Sequence, residues 1–344
     1  MTVLRFFLKT ICVLGAFLLV FTVSPEHVEG IKNMLRLPEI ILGVDHNPVP
    51  VPKAETTSEN TWVKKMVEDI RVLTSPEMEG RRGGTTGETR AALYIMEQLQ
   101  QLGLEELGEN GYFQVFTIPP MEERFIKGRA LFRPSTEGLK MPSCNILAGL
   151  EGKNKDEKII LSAHFDHLGI FNGQLCPGAN DNASGVSCVL EIMRRLKEDQ
   201  TQGKQPEKSI MAVFWGAEEM GYLGSRHFVD HPTVPLEQIK GVINLDSVAN
   251  GSANSFIIWT NKNSPLAAKI QKIGQEKNAH IKIQEKHTNF SDEVSFQKTP
   301  VPALTILSKE WLTNNHTPED DLSQINEEKL DLICDIVYQL IYEL

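Results

Sequence analysis

Three short segments of this 344-residue chain carry side chains able to hold and use metal ions. Ala163-His164-Phe165-Asp166 comes first, then Pro177-Gly178-Ala179-Asn180-Asp181-Asn182-Ala183-Ser184-Gly185, then Ala217-Glu218-Glu219. A carboxylate among small, turn-forming residues, joined by a histidine and a glutamate pair, is the donor set that two divalent ions about 3.5 to 4 Å apart require for hydrolysis. Taken singly, each has a plainer role. A strand-end Asp commonly caps the next helix, and a Glu pair is commonly a solvated face. The conjunction is what points to chemistry.

The elements around these segments explain how they could meet. Lys158 to His164 (KIILSAH), Ser209 to Gly216 (SIMAVFWG), Gly241 to Asp246 (GVINLD), Ser255 to Thr260 and Ala303 to Leu307 read as strands. Between and around them Thr89 to Leu102, Ser184 to Lys197, Tyr222 to Asp230, Ser264 to Lys277 and about Ile325 to Leu344 carry helical patterns, as does the chain from Trp62. This alternation predicts an α/β fold, a largely parallel mixed sheet sandwiched by helices. In such sheets the ligand crevice lies outside the carboxyl ends of the strands. His164, Glu218 with Glu219, and Asp246 fall at or just past three such ends.

Composition narrows the classes. The formal net charge is −10, and no basic block or stripe with interleaved aromatics occurs, which argues against a nucleic-acid partner. Arg5 and Lys9 precede an apolar run from Ile11 to Val23, the outline of an export signal. Residues 1–24 are therefore expected to be a signal peptide or an uncleaved N-terminal membrane anchor, with the bulk exported, periplasmic or secreted. Residues 25–60, ending in the Pro-rich Asn47 to Pro52, are expected to form a tether or strap, and residues 61–344 a single domain. Cys144, Cys176, Cys188 and Cys334 lack a CxxC spacing and read as buried or bridged thiols. Gly83 to Gly87 reads as a loop, since no Gly-Lys-Ser/Thr follows it.

His164-Phe165-Asp166, Gly178 to Gly185, Glu218-Glu219, Asn244-Leu245-Asp246 and His316-Thr317 stand in the order seen in the aminopeptidase Y or bacterial leucyl aminopeptidase family of co-catalytic zinc peptidases, which the chain resembles from about residue 62 to 340. Met78-Glu79-Gly80-Arg81 and Tyr112-Phe113-Gln114 are similar to that family's amino-terminal part. The resemblance implies two zinc ions, cobalt or manganese being chemically acceptable to the same donors. Asp181 would bridge them, with His164 and Asp246 on one and Glu219 and His316 on the other. It also implies a cis peptide after Asp181, and Glu218 as general base for water attacking the scissile carbonyl. Asp166 would accept the other ring N–H of His164 and fix its tautomer. The implied activity is an exopeptidase, an aminopeptidase acting on the N-terminal residues of peptides.

Alternatives stay open within the same fold: a carboxypeptidase or dipeptidase, a glutaminyl cyclase, or a non-catalytic homologue. Ala183-Ser184-Gly185 matches the peptidases rather than the cyclases, and retention of all five ligands with Glu218 argues against lost catalysis. Phe290-Ser291-Asp292 resembles a pocket segment of the family, but Glu293 stands where a His is frequent, so this loop is left outside the catalytic set. His167 could touch the site, whereas His227, His231, His280 and His287 read as structural or solvated. The stretch from Pro119 to Cys144 is too short for the protease-associated domain that some members insert. Asn182-Ala183-Ser184 and Asn315-His316-Thr317 match the glycosylation triplet, but a glycan there would block the proposed site.

Overall fold

A computed structural model of the protein describes residues 60–126, 129–260, 264–285 and 287–344. The expected signal or anchor, and the tether up to residue 59, lie outside the described residues. Among those described, no helix is long and apolar enough to cross a membrane.

Helix α1 (Thr61–Leu73) begins where the Asn60 side chain accepts the Trp62 N–H at 3.0 Å. Its buried residues Val63, Met66, Val67, Ile70 and Leu73 recur at helical spacing and define the face that packs inward. Helix α2 (Thr86–Gln101) starts three residues before the apolar pattern does, because Thr85 caps it and its first-turn Glu88 accepts the Gly84 N–H at 2.6 Å. The glycine-rich segment is thus the entry turn of a helix.

Among the described residues thirteen strands follow: β1 (Glu105–Glu106), β2 (Phe113–Ile118), β3 (Met121–Ile126), β4 (Arg129–Pro134), β5 (Met141–Leu150), β6 (Asn154–His164), β7 (Gly169–Phe171), β8 (Gln174–Cys176), β9 (Lys208–Trp215), β10 (Ile239–Leu245), β11 (Ser255–Thr260), β12 (His280–Gln284) and β13 (Ala303–Ser308). The main sheet runs β1-β5-β9-β6-β10-β13-β11-β12, with β2 also on β5. Its centre, β9-β6-β10-β13, is parallel, and β5 and β11 flank it in antiparallel pairing. The central strands read as unbroken apolar runs because both their faces are covered. Helices α3 (Gly185–Thr201), α5 (Pro265–Glu276) and α6 (Glu327–Glu343) join α1 on one side. On the other, Phe228 of α4 (Leu223–Asp230) and Phe296 close over Trp215, with ring centroids 5.4 and 6.3 Å away. The Pro119 to Cys144 stretch forms the β3–β4 hairpin and the start of β5.

Candidate metal centre

The connection from β6 goes through α3 to β9 on one side, and the chain then crosses to β10 on the other. The topological switch point therefore lies at the carboxyl end of β6. There His164 is paired with Trp215 in register, and Asn244 lies level with Ser162, so the segments following β9 and β10 open beside the histidine.

The loop carrying Asp181 is held from two directions. Asn180 accepts the Ala249 and Asn250 N–H groups through its side chain, at 2.9 and 3.1 Å. Asn182 accepts those of Gly185 and Ser247 and donates to the Leu245 carbonyl at 2.9 Å. Both flanking amides thus stitch the Asp181 turn to the segment after β10, satisfying backbone groups that a buried loop would otherwise leave unpaired. Asp320 accepts the Asn180 and Asp181 N–H groups at 2.8 and 2.9 Å. The Asp181–Asn182 peptide is cis, as the resemblance implies. Gly178 sits at φ +61, where a Cβ would lie 2.3 Å from the Asp181 carbonyl oxygen, so this corner requires glycine.

Beneath the turn, Arg81 is wholly buried and donates to four carbonyls: Leu73 at 2.6 Å, Pro177 at 2.7 Å, and Phe165 and Gly178 at 2.9 Å. One guanidinium therefore ties together the loops bearing Asp166 and Asp181. Burial pulls its pKa down to about 10, against the opposing pull of Asp320, Asp166, Asp181 and Glu219. No other side chain offers five donors in a fixed fork.

All seven predicted site residues come together. His164 Nε2 lies 3.3 Å from Asp181 Oδ1 and 3.5 Å from Asp246 Oδ1. His316 Nε2 lies 3.3 Å from Asp181 Oδ2 and 3.0 Å from Glu219 Oε2. The two oxygens of Asp181 thus face two different histidines. Each histidine gives its Nδ1 to a backbone carbonyl, that of Asp166 at 3.2 Å for His164 and that of Ala130 at 2.9 Å for His316. A carbonyl only accepts, so the hydrogen is on Nδ1 and Nε2 turns toward the carboxylates.

Asp166 differs from expectation in one respect. Its backbone carbonyl meets the His164 ring, while its carboxylate oxygen stands 3.8 Å from Nδ1. The carboxylate instead accepts the Glu218 N–H at 2.9 Å and the Glu219 N–H at 3.3 Å. The side chain thus reaches across to the segment after β9. Asp166 thereby sets the backbone on which both glutamates stand, and burial lifts its pKa to about 7.

Three features extend the set of seven: His167, which the sequence placed beside the first motif, Asn315, which it did not single out, and the Asp292-Glu293 loop, which it left outside the catalytic set. His167 is buried, and its Nδ1 lies 3.0 Å from Glu219 Oε1. Asn315 donates to Asp181 Oδ2. Asp292 and Glu293 form an inner acidic layer. Glu293 accepts the Ser291 N–H at 3.0 Å and the Thr305 hydroxyl, and Ser291 in turn accepts from Asn244 at 3.0 Å. Burial raises Asp292 to about 7 and Glu293 to about 8. The Asn244-Leu245-Asp246 motif was the available signal, since Asn244 is the link between this layer and β6.

Charge sorts the carboxylates. Burial opposes ionisation of Glu219, but His316 and His167 outweigh it and hold Glu219 at about 2. Asp181 likewise stays well below its ordinary value against burial, through His164, His316 and His167. Glu218 goes the other way. Burial raises it well above the usual carboxylate range, and Glu219, Asp292 and Asp246 add to that against His164. Burial disfavours both imidazolium ions, yet the surrounding carboxylates lift His164 and His316 well above normal.

The donor set fits divalent metal. Ligand atoms of His164, Glu218 and Asp246 lie within 4.8 Å of one another, as do those of His167, Asp181 and Glu219, and His316 Nε2 adjoins the second group. Imidazole and carboxylate donors without thiolate suit zinc. Among the described residues, Cys144, Cys176, Cys188 and Cys334 are buried and free; burial raises the Cys176 thiol to about 11, as befits a packing residue.

The mixed, parallel-centred sheet with its helices is a fold shared by solved zinc aminopeptidases and a glutaminyl cyclase. A zinc aminopeptidase from Bacillus subtilis superposes with a TM-score of 0.64 at 20% identity, over 85% of this chain and 96% of its own. The glutaminyl cyclase of Porphyromonas gingivalis does so at 0.61 and 18%, over 82% and 98%. The profile of peptidase family M28 matches residues 145–341, and the chain belongs to that family. The aminopeptidase YwaD of Bacillus subtilis (strain 168) is 29% identical over 243 residues, which cover 66% of this chain. They cover 51% of YwaD, so the chain spans about half the length of that curated relative.

Proposed function

We propose that the protein is a zinc-dependent aminopeptidase that removes N-terminal residues from peptides. The fold is shared with a glutaminyl cyclase and does not choose between reactions; the arrangement of the site supports the peptidase reading. The observation that carries the reading is the division of the two Asp181 oxygens between His164 and His316, each beside a further carboxylate. In this reading Asp181 would be shared by two ions, with His164 and Asp246 holding one and Glu219 and His316 the other. When bound, the ions supply Lewis acidity, lowering the pKa of water and polarising the scissile carbonyl.

The chain's own groups do the rest. Glu218, made more basic than an ordinary carboxylate by burial, takes the proton of the attacking water and passes it to the leaving amine. Asp166 fixes the peptide planes from which Glu218 and Glu219 project, and His167 orients Glu219. Unblocked amino termini suit a cavity of about 310 Å³ lined by Asp181, Glu218, Glu219 and Asp246. The apolar run behind Arg5 and Lys9 supports export of the domain in the same reading.

Free and N-blocked amino-acid anilides, assayed with and without chelator, test this. The free anilide is expected to be cleaved and the chelator to abolish cleavage. Hydrolysis of the blocked anilide alone would contradict the aminopeptidase reading.

A further inference from the structure

A cavity of about 690 Å³ lies beside the catalytic one and shares Trp259, Thr288, Asn289 and Trp311 with it. It arises from an uneven covering of the sheet's edge. Helix α5 packs on one face of β12, where a Cβ on Gly274 would come within 2.5 Å of Ile281. Strand alternation therefore turns His280, Lys282 and Gln284 to the opposite face, level with Ser255, Ile257 and Trp259 of β11. On that face Ile257 and Trp259 form an apolar floor with Leu307. His287 stacks on Trp259 at 5.3 Å between centroids, and Trp311 meets it edge-on at 5.3 Å.

The charge of the two cavities is opposed. The catalytic one carries Asp181, Glu218, Glu219 and Asp246. The neighbouring one has Lys282, Lys309, His280 and His287 in its lining and no carboxylate, in a chain whose formal net charge is −10. Lys282 and Lys309 are both exposed at its rim. Ser255 to Trp259 spans about 13 Å, the length of roughly four extended residues.

Resting on the aminopeptidase reading, we propose that this face is the subsite for the part of the substrate beyond the scissile bond. It would select extended peptides with acidic side chains two to four residues downstream of the cleaved one. The amino terminus would enter the anionic cavity while the following chain crosses the tryptophan floor and sets its carboxylates against Lys282 and Lys309. The open rim suits a continuing chain, so the acidic group is placed on side chains rather than on the peptide's C-terminus.

The test uses the zinc-loaded full chain and C-terminally amidated heptapeptides that differ only in Glu, Gln or Lys at the third and fourth residues. A Gln peptide with a free C-terminus and an amino-acid anilide complete the set. The Glu peptide is expected to exceed the Lys peptide roughly five- to ten-fold in kcat/KM, through KM, and less at high salt. In Lys282→Glu/Lys309→Glu that preference should vanish or invert while anilide hydrolysis is unchanged. Equal rates for the Glu and Lys peptides, a preference that survives the double variant, or a gain only from the free C-terminus would overturn the proposal. Calorimetric binding of the Glu and Lys peptides to chelator-treated protein separates the two readings. A Glu preference there, lost in the double variant, supports the subsite even if the anilide is not cleaved, and its absence refutes it.

Discussion

Glu218 and Glu219 are joined by one peptide bond and sit in opposite environments. Glu219 projects toward His316 and His167 and is held ionised at about 2. Glu218 projects into the burial and like charge of Asp292 and Asp246, and its proton affinity rises. In the proposed reading the same carboxyl chemistry thus yields a ligand on one side of the backbone and a proton carrier on the other. Asp166 makes the division by gripping both N–H groups, so that neither side chain can trade places with its neighbour.

Glu218→Gln breaks the comparison most severely. Turnover of a free anilide is expected to fall by roughly 10²- to 10⁴-fold at unchanged melting temperature. His167→Phe attacks the other half: without the Nδ1 contact, zinc affinity should drop about 10- to 100-fold by competition with a chelator. Glu88 isolates the burial effect, since it lies outside the ligand set. Burial foremost, with help from Asp166, raises it to about 8 in the folded protein from an ordinary 4.5. Folded protein therefore holds a proton that the unfolded chain releases between those values. The stability this contributes is complete below about pH 4.5 and is lost as pH rises toward 8. In that window Glu88→Gln should flatten the decline in unfolding free energy by up to about 1.4 kcal/mol per pH unit. An unchanged slope in denaturant titrations would show that burial alone does not raise these acids.

What was legible followed from local physics. Strands β6, β9, β10 and β13 announced themselves because two covered faces demand unbroken apolar runs, and the chemistry at their ends came with them. Strand β5 mixes Pro142, Ser143, Asn145 and Gly149 into its run, and β12 (HIKIQ) alternates at an edge, so neither stood out. At the site, His164, Glu218 with Glu219, and Asp246 were readable because each stands at or just past a strand end. The groups that orient them were not. Ala130 reaches His316 from the hairpin, Asp320 holds Asp181 across 139 positions, and Arg81 binds carbonyls up to 97 positions away. Such contacts depend on where loops are brought together, which no spacing along the chain records.

The central claim is the division between adjacent glutamates, and metal content measures it most directly. Glu218→Gln and Glu219→Gln, purified alongside the parent protein and equilibrated with zinc, are compared for bound ions per chain. The account predicts that Glu218→Gln retains the parent's zinc and loses hydrolysis, while Glu219→Gln loses zinc. Loss of zinc from Glu218→Gln, or full zinc in Glu219→Gln, would contradict it.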